Sequence, residues 1–301
     1  MLRKAAPVAG RAPNADVDLA SYDWIAVSSS AGKDSQAMLD YVSELAEAAG
    51  VADRIVVIHA DLGKVEWEGT GELAREQAEA YGHRFELVSR IGGVAKRDGK
   101  TYSKGETYGD LLDYAERRGA WPDNANRWCT SDFKRGPILT VFTALAREWK
   151  KGRPKGAEKR ACRILDCMGL RAEESPARAK KVPFSNRKSN KNQHIDSWLP
   201  IHDWTEDEVW ARIKKSGVPH HPAYDLGMPR LSCAFCIFAP KSALVLAGKY
   251  NRELLDEYVR VEKVTGHKFR MDVSLEEVRD AVVAGDAEVD EAELADGAWN
   301  M

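Results

Sequence analysis

No stretch of this 301-residue chain approaches the roughly 18 consecutive apolar residues of a membrane span, so no membrane association is expected. The opening MLRKAAPVAGRAPNADVDLA has two early basic residues but lacks the apolar run of a secretory signal, and a cytoplasmic location is expected. Cysteine is scarce: five residues, odd in number and irregularly spaced, do not make a secreted disulfide framework and leave metal or redox chemistry as the question. Charge of one sign is missing too, with 45 Lys and Arg against 47 Asp and Glu and a net charge of -2, so no global basic field announces nucleic acid. The balance is local instead. Residues 150–191 carry fourteen Lys or Arg against four acids, whereas ten acids face Arg279 alone from Met271 onward.

What is present is a 44% hydrophobic chain, enough for one large or two modest cores. Residues 1–20 read as a loose arm. Strand patterns at 24–28, 54–60 and 84–88 alternate with helical spacing at 34–49 and 72–81, which predicts an α/β fold around a doubly wound, mainly parallel sheet. Helical spacing returns at 106–118 and 135–150, and RILDCMGL (163–170) reads as another buried strand, with a helix starting at Glu173. Residues 96–105 and the stretch PFSNRKSNKNQ (183–193) read as polar loops, the first mobile and near the site. A soft boundary is placed near 195. It separates a nucleotide domain (21–195) from a smaller helical, cysteine-bearing part (196–270), which has a helix capped by Thr205, and an acidic tail (271–301).

The octapeptide SSSAGKDS (28–35) follows the first strand directly and opens the first helix. Small residues let backbone N–H groups approach oxyanions, Lys33 adds a point charge, and a helix presents its positive end. The competing reading is a helix cap with Asp34 as capping residue. Position favours the ligand, because open α/β sheets bind at the carboxyl ends of their strands. Asp61, ending the second strand, could hold magnesium or nucleotide, or simply make a turn. A Walker loop is excluded: Asp34 follows Gly32-Lys33, and no glycine stands at the required place upstream.

This stretch resembles the SGGKDS signature of the PP-loop ATP pyrophosphatases, in register at Ser30, Gly32, Lys33, Asp34 and Ser35 and departing at Ala31. MGLRAEESPAR (168–178) matches the GxRxxESxxR pattern of the phosphoadenosine phosphosulfate (PAPS) reductase-like branch at Gly169, Arg171, Glu174, Ser175 and Arg178. RWCTSDFKRGPI (127–138) resembles that branch's Cys-Thr and Lys-x-x-Pro segment. The resemblance covers roughly residues 22–240 and implies an adenine nucleotide alpha-hydrolase-like, Rossmann-like fold. Ser28, Ser30, Gly32, Lys33, Asp34 and Ser35, with Asp61, Lys134, Arg171, Glu174, Ser175 and Arg178, become the nucleotide and phosphate candidates. Lys33, Asp34 and Arg171 are the catalytic ones. Arg171 and Arg178 lie about two turns apart if one helix includes both, with Glu174 placed to orient Arg171.

Cys233 and Cys236 form a CxxC in PRLSCAFCIF, and Cys129 is the expected third member. Relatives in nucleic-acid sulfur transfer and DNA phosphorothioation hold an iron–sulfur cluster, in some cases by three cysteines, and the resemblance implies the same use here. Zinc completed by His220 or His221, and metal-free redox thiols, are the alternatives. Cys167 reads as a packing thiol and Cys162 as a fourth ligand or an exposed thiol.

The resemblance implies Mg-ATP in the loop, attack of an acceptor oxygen on the α phosphorus, release of pyrophosphate and adenylation of the acceptor, in sulfur transfer or sulfur metabolism. Two alternatives stand beside it: a sulfonucleotide reductase releasing sulfite, and a non-catalytic nucleotide- or DNA-binding subunit. The reductase reading is weakened because Lys33 is present, whereas those enzymes have typically lost it, and because no cysteine follows Cys236. Expected partners are an adenine nucleotide and a nucleic-acid acceptor or sulfur-donor protein. The acceptor could track the basic stretch 150–191, where Phe184 is the only aromatic; the oligomeric state is left open.

Overall fold

The computed structural model describes residues 17–91, 94–97, 100–101 and 109–285. Eight strands form one sheet: β1 (Trp24–Ser29), β2 (Ile55–Asp61), β3 (Arg84–Ile91), β4 (Val94–Arg97), β5 (Lys100–Thr101), β6 (Cys162–Met168), β7 (Phe184–Ser189) and β8 (Gln193–Trp198). Their order is β5-β4-β3-β2-β1-β6-β8-β7. The five central strands run parallel, and β4, β5 and β7 are antiparallel additions at the two edges.

Residues alternate sides along a strand, so a sheet covered on both faces must be apolar at every position. Strand β1 obeys this up to Val27, before the serines that lead into the loop. Ile25 and Val27 pack with Leu39 and Val42 of α1 (Lys33–Ala48) in one core, and Ala26 faces the other core, against Val141, Phe142 and Leu145. The doubly wound architecture expected from the sequence is therefore the one observed. The remaining helices are α2 (Thr70–Ala80), α3 (Leu111–Arg118), α4 (Trp128–Thr130), α5 (Gly136–Gly152), α6 (Pro176–Ala179), α7 (Glu206–Ser216), α8 (Lys241–Tyr250), α9 (Arg252–Thr265) and α10 (Leu275–Ala284). A third core, joining α3 to α8, α9 and α10, holds the cysteine segment.

Several local expectations change. PFSNRKSNKNQ is not a loop: it contains β7, an edge strand with no buried face, so it carries no apolar alternation to be read. The boundary near 195 falls inside β8, which pairs with β6 in the sheet. Of the expected mobile loop, β4 and β5 supply strand, and 98–99 and 102–105 lie outside the described residues. Residues 1–16 of the arm and 286–301 of the tail lie outside them as well; α10, capped by Ser274, occupies the tail's described part.

Candidate functional site

The phosphate-loop candidate turns at the carboxyl end of β1. Ser28 is still in the strand, paired with Ile58 and Met168, and Ser30 is exposed at the bend. Ser35 ties the loop to itself: its Oγ receives the Ser30 N–H at 3.2 Å and donates to the Gly32 carbonyl at 2.9 Å. Ala31 has φ +56°, the left-handed region that glycine occupies without strain, so the one residue departing from the signature sits where its methyl is least welcome. The cap reading of Asp34 fails, because the N-cap is Gly32, with no side-chain cap bond. Gly169 explains itself sterically: a Cβ there would lie 2.9 Å from the Asp34 carbonyl oxygen and 3.0 Å from the Ser35 nitrogen, both backbone. The end of β6 is thereby pressed against the first turn of α1.

Lys33 and Arg171 are both buried. The Lys33 ammonium donates to the Pro229 carbonyl at 2.6 Å and pairs with Glu206 at 3.2 Å, while its backbone N–H donates to the Tyr224 hydroxyl at 2.8 Å. Arg171 donates from Nε to Asp34 at 2.5 Å and from NH1 to Glu173 at 2.5 Å, and lies 3.6 Å from Glu206. Asp34, not Glu174, orients the Arg171 side chain; Glu174 takes the Arg171 backbone N–H at 2.9 Å. Its carboxylate pairs with Arg178 and, at 3.4 Å, with Arg230. Burial, then the neighbouring Arg230, holds the Arg178 pKa below the usual arginine value in spite of Glu174. The expected shared helix is absent. Arg171 is extended, residues 172–174 form a 3-10 turn, and Ser175 caps the short α6, which begins at a proline.

Asp61 makes a turn, accepting the Gly63 N–H at 2.7 Å. It lines a cavity of about 700 Å³ between the end of β2 and the junction of α8 and α9, whose lining includes none of residues 28–35. The turn reading of Asp61 is thus the one its hydrogen bond supports. Lys134 stands among Glu66 and the three cysteines. Pro137 has no N–H for the helical bond to Phe133, and the chain between α4 and α5 widens into a π-turn at Ser131–Arg135 that carries Lys134. Burial disfavours its ammonium, but Cys233, Glu66, Cys236 and Cys129 outweigh that and raise its pKa. Glu66 also accepts from Leu62 N–H at 3.0 Å and meets His59 Nε2 at 3.3 Å, while His59 Nδ1 faces the Ser29 carbonyl at 3.0 Å. Buried polar contacts thus run from the base of the loop toward the cysteines.

Cys129, Cys233 and Cys236 are partly exposed and pack against the third core. Burial pushes the Cys233 thiol up to about 12 and raises Cys129 as well, and each feels Cys236. The donor chemistry suits a thiolate-held metal. As placed, however, no three His, Cys, Asp or Glu side chains among the described residues stand close enough together to hold an ion, so neither a cluster nor zinc fits the positions. Both proposed histidines are engaged elsewhere. His221 Nδ1 accepts the Ala223 N–H at 3.1 Å and its Nε2 meets Thr70 at 3.0 Å, and His220 pairs with Asp225 at 2.8 Å. Cys162 is neither an exposed thiol nor a fourth ligand: it is fully buried at the start of β6, the opposite end of the strand from the site, with its thiol pushed up to about 12 by burial. Cys167 is a packing thiol, as expected.

Sequence reading missed Tyr224, Pro229, Arg230 and Glu206. The first three lie on the one segment that leads into CxxC, and a motif search has no reason to assign a phenol or a carbonyl to a loop 191 or 196 residues upstream. Glu206 was visible only as an acid in a helix's first turn.

A family model, the phosphoadenosine phosphosulfate reductase domain, matches residues 24–239. Among curated proteins, an uncharacterized 37.8 kDa protein of Escherichia phage 186 is 28% identical over 134 residues, 44% of this chain and 36% of that one. An adenosine 5'-phosphosulfate reductase of Allochromatium vinosum is 40% identical over 68 residues, 23% of this chain and 25% of that one. The chain thus spans about a third and a quarter of these relatives' lengths. Among solved structures, a PAPS reductase from Candida auris in a phosphate complex aligns with a TM-score of 0.45 at 16% identity, over 71% of this chain and 83% of that one. With the family model matching well over half of its length, the chain belongs to the phosphoadenosine phosphosulfate reductase domain family.

Proposed function

We propose that the chain is an enzyme that binds ATP through residues 28–35, cleaves it to AMP and pyrophosphate, and adenylates an acceptor in sulfur transfer. The observation that carries this is the convergence of two buried cations, Lys33 and Arg171, at the carboxyl edge of the sheet, beside a loop whose fold depends on Gly169. A buried cation beside oriented backbone amides stabilises charge as it develops on the leaving phosphates, with no reorganisation at the moment of reaction. Asp34 holds the Arg171 fork in place, and Tyr224 fixes the first amide of α1. Lys33 and the amides of Gly32, Asp34 and Ser35 take the β,γ phosphates, and Arg171 stabilises the charge that develops at the α phosphorus. ATP and Mg2+ are the cofactors of this reading, and the thiols of Cys129, Cys233 and Cys236 are the sulfur carrier, to be tested by iron, sulfide and zinc analysis after anaerobic purification.

With labelled ATP and candidate acceptors, pyrophosphate release is expected, and Lys33→Ala lowers it by at least roughly a hundredfold while leaving the fold intact. Formation of ADP, or unchanged turnover in that variant, refutes the assignment. The curated relatives named as adenosine 5'-phosphosulfate reductases favour a second reading, sulfonucleotide reduction, which predicts thiol-dependent sulfite release from adenosine 5'-phosphosulfate.

A further inference from the structure

Glu206 stands where an incoming anion would be expected to stand. Its carboxylate bridges the two buried cations, with Oε1 3.2 Å from Lys33 Nζ and Oε2 3.6 Å from Arg171 NH2. The contrast in exposure is large: the Lys33 and Arg171 side chains are 4% and 3% exposed, whereas that of Glu206 is 50% exposed. Arg171 has two other carboxylates, Asp34 and Glu173. Lys33 has none: among the described residues, Glu206 is its sole anionic partner.

The cap of α7 does not use the Glu206 carboxylate. The capping box of α7 is made by Thr205 and Glu208, and the Glu206 backbone N–H is satisfied by Glu173 at 2.8 Å. Among the described residues the only other bond of the carboxylate is a 3.4 Å contact from Trp210 Nε1. Its position is therefore set by the two cations, and the solvent side of the bridge is open.

We infer that Glu206 is a built-in occupant of the phosphate subsite, a carboxylate that neutralises Lys33 in the empty protein and is exchanged for a phosphate oxygen when the nucleotide binds. A side chain that must be displaced raises the threshold for entry. It disfavours weak monoanions and selects ligands whose charge on the loop exceeds its own, as a diphosphate's does. The inference rests on the reading of residues 28–35 as a phosphate site and names the residue that sets that site's selectivity.

The test is calorimetric titration of the full chain with inorganic pyrophosphate and, separately, with chloride or acetate as monoanion competitor, for the unaltered protein and for Glu206→Gln, Asp207→Asn and Lys33→Ala. Asp207→Asn removes a charge from the same helical turn without touching Lys33. Glu206→Gln is expected to bind pyrophosphate roughly five- to tenfold more tightly and to become sensitive to the monoanions, with Asp207→Asn within about twofold of the unaltered protein. Equal effects of the two substitutions, or weaker binding by Glu206→Gln, overturn the inference while leaving the loop reading intact. Pyrophosphate binding that is indifferent to Lys33→Ala, or absent in all four proteins, overturns the loop reading and the inference with it.

Discussion

The loop at residues 28–35 and the cysteine group stand close to one another in the fold but manage charge in opposite ways. At the loop each buried cation is matched by oxygen: Lys33 by Pro229 and Glu206, Arg171 by Asp34 and Glu173. At the cysteines burial keeps the Cys233 thiol protonated far above neutral pH, and Lys134 faces sulfur and Glu66 with no fork of carboxylates around it. The first region can exchange one oxygen ligand for another at small cost. The second changes state only when something removes protons from its thiols. One segment serves both, since residues 221–231 supply Tyr224, Pro229, Arg230 and Leu231 to the loop region and Cys233 and Cys236 follow at once.

The sharpest way to break the loop without touching the cysteines is Gly169→Ala. Its Cβ would meet the Asp34 and Ser35 backbone at 2.9–3.0 Å, and backbone cannot step aside as a side-chain end can. A loss of about 3 kcal/mol is expected, read from the urea midpoint, together with loss of pyrophosphate binding. An unchanged midpoint would mean that β6 and α1 are not in the contact described.

The shared segment is tested by pH. His221 is buried, and burial, in excess of the favourable charge of Glu66, lowers its pKa from 6.5 to about 4. The folded state therefore holds fewer protons than the unfolded state below pH 6.5, so the stability it contributes is complete above that value and is lost as pH falls toward 4. By pH 5 the loss is about 2 kcal/mol relative to pH 7. Denaturant titrations of the unaltered protein and of His221→Asn at the two pH values should differ by that amount. Parallel pH dependence in the two proteins would remove His221 from the account.

How much of this was legible beforehand follows from the same contrast. The alternating strands, the placing of the loop at the end of β1 and the capping of α7 by Thr205 all lie in local patterns, where periodicity and cap chemistry act within a few residues. Lys33, Arg171 and Gly169 were found because their spacing is itself the motif. The brace on Arg171 was assigned to the wrong acid, because sequence proximity favoured Glu174 whereas the fold brings Asp34 from 137 residues away. β7 was unreadable for a physical reason: an edge strand exposed on both faces has no hydrophobic pattern to show. Lys134 was chosen from the resemblance to a Lys-x-x-Pro segment, and such a motif does not show that the residue sits on a π-turn, a backbone event at Pro137.

The finest test sets two buried alanines against each other, Ala31 in the loop and Ala234 between the CxxC cysteines, both at 1% exposure or less. Replacement by glycine removes a buried methyl from each, about 0.8 kcal/mol, and adds unfolded-state freedom, about 0.4–1 kcal/mol. Ala234 gains nothing in return: its φ is negative and its N–H is committed to the Val65 carbonyl at 2.9 Å. Ala31 at φ +56° is relieved of a left-handed conformation that costs about 1–2 kcal/mol. Ala31→Gly is therefore expected to change stability by less than about 1 kcal/mol, and Ala234→Gly to lower it by between about 1 and 2 kcal/mol. Urea midpoints of the two variants measure the difference directly. Equal losses would show that the loop stores no backbone strain, and that the alanine in its signature is held by packing alone.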